Sequence, residues 1–150
     1  MIKALLVFVT IYTISTTILS QQNTKRDSMK IRLVFDETIL TATMIDNPTT
    51  RDFISLLPLT LKLEDYAGTE KISQLPKKIS TKAAPAGADP STGDIAYYSP
   101  WGNLAIFYKD FRYSSGLILL GKIDSDIDII KKWKESKVVK FELINQNESK

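Results

Sequence analysis

With 150 residues, 43% of them hydrophobic and 25% charged, the chain suits one globular domain with a sizeable core. It has no Cys, which excludes disulfides, thiol nucleophiles and thiolate metal sites, and no His, which removes the usual general base and the commonest transition-metal ligand. The net charge of +3 gathers into no basic patch, so nucleic acid is not an expected partner, and no cofactor is expected either.

The first residues read as a targeting segment. Lys3 precedes Ala4–Leu19, an uncharged and mostly apolar run, and Ser20 is small enough to sit before a cleavage point. This pattern matches a secretory signal peptide over residues 1–20 and implies an exported protein, periplasmic or secreted, with no stable membrane span after cleavage. An uncleaved anchor is the competing reading, but the run is short for a span of about 20 apolar residues. Residues 21–28, QQNTKRDS, read as a polar leader.

The folded domain is expected over residues 29–144. Ile31, Leu33 and Phe35 alternate with more polar neighbours, Asp36-Glu37 offers a turn, and Leu40, Ala42 and Met44 give a returning strand its inward face. Asn47-Pro48 is a helix start: Asn caps free N–H groups and Pro at the first position loses no bond. Phe53, Ile54, Leu56 and Leu57 form its apolar stripe, Pro58 stops it, and Arg51 and Asp52 are expected in solvent. Leu59, Leu61 and Leu63 mark another strand, followed by a turn over Asp65–Lys71 with Tyr66 available to bind. A short edge strand is expected within Gln74–Lys82, guarded by its lysines, and Ala83–Thr92 reads as an exposed loop.

Two strongly apolar strands follow, Ile95–Tyr98 and Leu104–Tyr108, joined by Ser99-Pro100-Trp101-Gly102-Asn103. After a polar turn over Asp110–Gly116 comes a third, Leu117–Ile123. Ser125 is placed to cap a second helix with Ile127, Ile130 and Trp133 on its apolar side, and Val139, Phe141 and Leu143 alternate in the last strand. Leu61, Leu63, Leu119, Phe141 and Leu143 are expected in the core. Residues 145–150 are expected to fray, and the sequon at Asn147 is read as chance. The inventory is mainly β: about eight strands and two short helices, which suits a closed barrel capped at its ends.

The aromatic stretch from Tyr97 to Tyr113 carries the candidate site. Tyr66, Tyr97, Tyr98, Trp101, Asn103, Phe111 and Tyr113 are the expected lining of a groove for an extended peptide or a flat small molecule. Ser114-Ser115 has no His to activate it, and neither Glu64-Asp65 nor Asp124–Asp128 has the spacing of a calcium loop.

The second half of the chain resembles a known family. Ser114–Ile123, SSGLILLGKI, followed by Ser125–Lys132, resembles the C-terminal signature of cyclophilins, where a Leu-Asp-Gly turn leads into a Gly-Lys-containing strand and a helix. Asn47–Leu57 resembles the cyclophilin segment in which Pro-Lys-Thr opens a helix. LEDYAGTEKI and GDIAYYSPWGNLAIFY resemble more closely a bacterial group described as cyclophilin-like. The resemblance implies a closed cyclophilin-like barrel. It does not carry over the cyclophilin catalytic motif: where Phe-His-Arg would stand, Leu59–Ala67 contains Lys62 but neither His nor Arg. Two functions are therefore expected to compete, a non-catalytic peptide or small-ligand binding module and a weak peptidyl-prolyl isomerase. The second would need Arg112, the only Arg near the groove, as its catalytic cation.

Overall fold

A computed structural model describes residues 29–145. The expected signal peptide, the leader and residues 146–150 lie outside the described residues. The chain runs β1 (Lys30–Phe35), β2 (Thr38–Met44), α1 (Pro48–Ile54), β3 (Leu59–Tyr66), β4 (Glu70–Gln74), β5 (Gly87–Ala88) and β6 (Asp94–Tyr98). It continues through β7 (Asn103–Phe107), β8 (Ser114–Ser115), β9 (Leu117–Ile123), α2 (Asp128–Lys131) and β10 (Lys137–Leu143).

Eight of these strands close into an antiparallel barrel in the order β1-β10-β3-β4-β7-β6-β9-β2, so no long edge is left unpaired. Alternation decides what faces inward. Ile31 and Leu33 of β1, Leu40 and Ala42 of β2, Leu61 and Leu63 of β3, and Val139 and Phe141 of β10 are all buried in one core. The same core takes Ile95 and Tyr97 of β6, Leu104 and Ile106 of β7, and Ile118 and Leu120 of β9. At Gly121 the backbones of β2 and β9 approach so closely that a Cβ would lie 2.6 Å from the Thr43 carbonyl oxygen and 2.7 Å from Met44 Sδ. The Gly of the Gly-Lys pair is thus a packing requirement.

The two helices close opposite ends. Asn47 caps α1 by accepting from the Thr50 N–H (2.8 Å), and its Nδ2 donates to the Leu119 carbonyl (3.1 Å), tying the helix start to β9. Phe53 lies edge-on to Phe141 at 6.3 Å. α1 ends at Ile54, short of Pro58, and Asp52 is not simply solvated: its carboxylate accepts the Ser80 N–H at 2.7 Å. At the other end Trp133, just after α2, lies edge-on to Phe35 at 4.7 Å. α2 is shorter than expected and Ser125 does not cap it. Its N-cap is Ile127 with no side-chain bond, while the Asp126 carboxylate accepts the Asp128 N–H at 2.8 Å.

Four further expectations change. The turn after β3 is only Ala67–Thr69, because β3 runs on to Tyr66 and β4 resumes at Glu70. Asp65, Tyr66, Glu70 and Lys71 are therefore strand residues, paired Tyr66 with Glu70 and Asp65 with Lys71. No strand forms in 75–82. Pro76 supplies no N–H for a ladder, and the segment crosses a barrel end as irregular chain, burying Leu75 and Ile79. Residues 83–92 are not wholly loop, since β5 pairs with β8 as a separate two-stranded ladder lying against β9. Finally, Leu143 is exposed near the end of β10, and Leu119 is half-buried on the outside of the barrel rather than inside it.

Candidate functional site

The outer face of β7-β6-β9, with Ile72 of β4 beside it, differs from the outside of the rest of the barrel. Here the outward positions are apolar too: Ala96, Ala105, Phe107 and Leu117 form a second buried cluster, with Ile72, Tyr98 and Leu119 packed against it. Covered on both sides, β6, β7 and β9 read as nearly continuous hydrophobic runs. The cover comes from two segments stapled together. The Phe111 N–H donates to the Pro90 carbonyl (3.0 Å) and the Gly116 N–H to the Ala86 carbonyl (2.7 Å). Asp110 accepts from both the backbone N–H and the hydroxyl of Thr92, at 2.7 and 2.8 Å. Those two bonds, the backbone one first, hold the Asp110 carboxyl below its ordinary range.

Between this cover and the Trp101 turn lies a pocket of about 290 Å³. Its floor and walls follow from strand register. Tyr66 of β3 pairs with Glu70 of β4, and Glu70 with Phe107 of β7. Asn103 of β7 pairs with Tyr98 of β6, and Tyr98 with Leu117 of β9. All six side chains line the pocket, together with Trp101, Phe111, Arg112 and Ser114. Trp101 folds back over the strands from the β6–β7 turn. Its ring stands perpendicular to Tyr66 (5.6 Å, 88°) and nearly so to Tyr98 (5.4 Å, 81°). Gln74 Nε2 fixes that turn by donating to the carbonyls of Trp101 (2.8 Å) and Gly102 (3.1 Å).

Five of the seven residues expected from sequence, Tyr66, Tyr98, Trp101, Asn103 and Phe111, come together at this pocket, and Arg112 lines it as well. Two do not. Tyr97 is 1% exposed on the inner face of β6, where its hydroxyl accepts the Ile79 N–H at 3.3 Å. It is a core residue because Tyr98, its neighbour, takes the outer face. Tyr113 is 52% exposed and turns from the pocket toward β5, where its hydroxyl lies 2.7 Å from the position a Cβ on Gly87 would take. Only Gly fits there.

Glu70, Phe107, Ser114 and Leu117 also belong to the pocket, although the aromatic pattern of the sequence does not single them out. Glu70 matters most chemically. Burial alone pushes its carboxyl from the ordinary 4.5 up to about 7. Among the described residues no side chain or backbone group donates a hydrogen bond to it, and it forms no ion pair. The sequence does carry a signal for it: a strand resuming at Glu70 puts alternate residues outward. A turn spanning all of Asp65–Lys71 hides that signal.

Asn103 is the second polar group of the floor, 4% exposed. Its Nδ2 donates to the Leu104 carbonyl at 3.2 Å, and Oδ1 is left without a partner. The opposite amide orientation would set Oδ1 against that carbonyl, so the unpaired atom is an acceptor. Arg112 sits at the mouth on an exposed loop, its guanidinium 5.1 Å from the Phe111 ring centroid.

A second pocket of about 220 Å³ lies beyond the β5–β8 ladder, between the start of α1 and residues 82–88. Its lining is apolar apart from Lys82, Thr49 and Asn47, and Asn47 is already engaged as the helix cap. Among the described residues no three His, Cys, Asp or Glu side chains gather to hold a metal ion. Nor is any described helix long and apolar enough to cross a membrane.

A closed antiparallel barrel with two short end helices and an apolar groove on its outer face defines a cyclophilin-like domain. The chain belongs to the cyclophilin-like family, whose sequence profile matches residues 33–142. It is similar in fold to the hypothetical protein AF2241 from Archaeoglobus fulgidus, known from a solution structure. The TM-score is 0.57 at 18% identity, covering 78% of this chain and 95% of the other. No curated protein matches the chain.

Proposed function

We propose that the protein is a binding module that holds a small ligand or a peptide segment in the outer-face pocket without transforming it. The supporting observation is the composition of that pocket: aromatic and apolar side chains surround the Glu70 carboxyl and Asn103 Oδ1, and among the described residues the only cation lining it is Arg112 on the exposed loop. Binding needs apolar area and a few hydrogen bonds. Prolyl isomerisation must overcome the resonance of an amide whose rotation barrier is about 20 kcal/mol, and a fixed guanidinium at the prolyl nitrogen is one means of doing so. Arg112 rests on Phe111 rather than within the floor. Its place at the mouth nevertheless favours weak isomerase activity as the second reading.

The test is a proline-peptide isomerisation assay on the wild type and on Arg112→Ala. No acceleration by either is expected. Acceleration lost in Arg112→Ala would make the protein an isomerase with a relocated cation, and acceleration retained would make it an isomerase by another route. Residues 1–20 are proposed to direct export, so that the protein acts in the periplasm or outside the cell. N-terminal sequencing from the host should then begin near Gln21, and an intact Met1 on soluble cytosolic protein would refute export.

A further inference from the structure

The pocket floor carries two polar groups without partners. The Glu70 carboxylate and Asn103 Oδ1 are acceptors with no donor among the described residues, and Glu70 lies opposite Phe107, four residues along β7 from Asn103. A half-buried carboxyl without a partner is costly, and so is an orphaned amide oxygen. Proteins tolerate such groups where something else completes them. The described residues complete their buried charges: Lys71, the next residue, has three partners, and Asp94 accepts the Ser91 N–H and pairs with Lys122.

The aromatic geometry points the same way. Tyr66 and Tyr98 both stand across the Trp101 ring at about right angles, so three rings bound the space above the acceptors. Aromatic rings that bound a pocket beside a carboxyl suit an organic cation, whose charge is attracted to ring faces.

Resting on the reading that this pocket binds a ligand, we infer that its ligand is a ring-sized organic cation. It brings an ammonium or amidinium N–H to Glu70 while its apolar body lies among Tyr66, Tyr98 and Trp101 and extends along the floor toward Asn103. The size follows from the volume of about 290 Å³, enough for one substituted ring. Selectivity follows from the floor: an anion would meet a carboxyl, and a neutral alcohol would forgo the charge-assisted bond. The elevated Glu70 carboxyl is the expected property of an acid awaiting a cation, and binding one would lower it again. Arg112 at the mouth does not oppose this, because its charge is exposed to water and screened.

The test uses three isosteric probes, benzylamine, benzyl alcohol and benzoate, titrated near pH 8 into the wild type and Glu70→Gln. Binding is read from the NMR shifts of the Asn103 side-chain amide and the Trp101 indole, with buried Trp133 as the reference. Benzylamine should bind the wild type at least about tenfold more tightly than benzyl alcohol, with benzoate weakest. Glu70→Gln should reduce benzylamine to the level of benzyl alcohol. If benzyl alcohol or benzoate binds the wild type as well as benzylamine, the cation inference is overturned while the ligand pocket stands. A preference for benzylamine that survives in Glu70→Gln overturns it equally. If none of the three moves either signal, both the inference and the ligand pocket are overturned.

Discussion

Glu70 and Lys71 are adjacent on β4 and face opposite sides of the barrel wall, and their surroundings could hardly differ more. Lys71 points inward and is 2% exposed, yet its ammonium donates to Asp65 Oδ1 at 2.8 Å and to the Trp133 carbonyl at 3.0 Å and lies 5.1 Å from the centre of the Tyr108 ring. The Tyr108 hydroxyl closes the network by donating to the same Asp65 oxygen at 2.5 Å. Lys71 and then Tyr108, by hydrogen bonding, hold the Asp65 carboxyl below its ordinary range, and burial followed by that carboxylate pushes the Tyr108 phenol up. Glu70 points outward into the pocket and has no such completion. A buried charge that the protein satisfies itself belongs to the scaffold, here joining β3, β4, β7 and the segment after α2 at one barrel end. A charge left open in a concave aromatic site is available for function.

The contrast should be measurable, and its largest consequence lies on the inner side. Asp65→Ala leaves the Lys71 ammonium buried with only a carbonyl and a ring, and should destabilise the fold by about 3 kcal/mol in urea denaturation. A loss under about 1 kcal/mol would mean that water reaches Lys71 and that the inner charge is no better sealed than the outer one.

The outer side should respond with the opposite sign. Because the Glu70 carboxyl is raised from 4.5 to about 7, the folded state holds a proton that the unfolded chain has lost between those values. Stability from this group is therefore full below about pH 4.5 and falls as pH rises through 7. Unscreened, the shift would be worth about 3 kcal/mol, and water at the half-exposed carboxyl reduces that to about 1 kcal/mol. Glu70→Gln should stabilise the protein by that amount near pH 8 and make no difference near pH 4. A destabilising Glu70→Gln at pH 8 would show that the carboxylate has a partner after all. Asp65 runs the other way: its depressed carboxyl contributes stability above its ordinary range that is lost as pH falls through the folded value.

The smallest effect is the control. The exposed pair of Lys137 and Asp36, 2.6 Å apart, joins two loop-proximal charges that water already solvates. Lys137→Ala should change stability by less than about 1 kcal/mol, and salt should erase even that. A larger loss would mean that burial is not what separates Lys71 from an ordinary ion pair.

Much of this molecule follows from period-two alternation alone. In β1, β2, β3 and β10 one face meets water and the other the core, so polar and apolar residues take turns, and the inward set Ile31, Leu33, Leu61, Leu63 and Phe141 can be named from the chain. Asn47-Pro48 likewise starts α1 through local hydrogen bonding and a fixed φ, which need no tertiary context. The candidate site lies where that logic gives out. β6, β7 and β9 are covered on both faces, so their sequences are apolar throughout and do not say which face is which. Tyr97 and Tyr98 must point opposite ways, as must Glu70 and Lys71. Only closure of the barrel, which pairs Tyr98 with Asn103 and Glu70 with Phe107, decides that Tyr98 and Glu70 enter the pocket. Sequence determined the barrel strands other than β4 and the inventory of aromatic and charged groups, because those depend on neighbours along the chain. Tertiary structure decided which member of each adjacent pair meets a ligand, because that depends on register with strands distant in sequence.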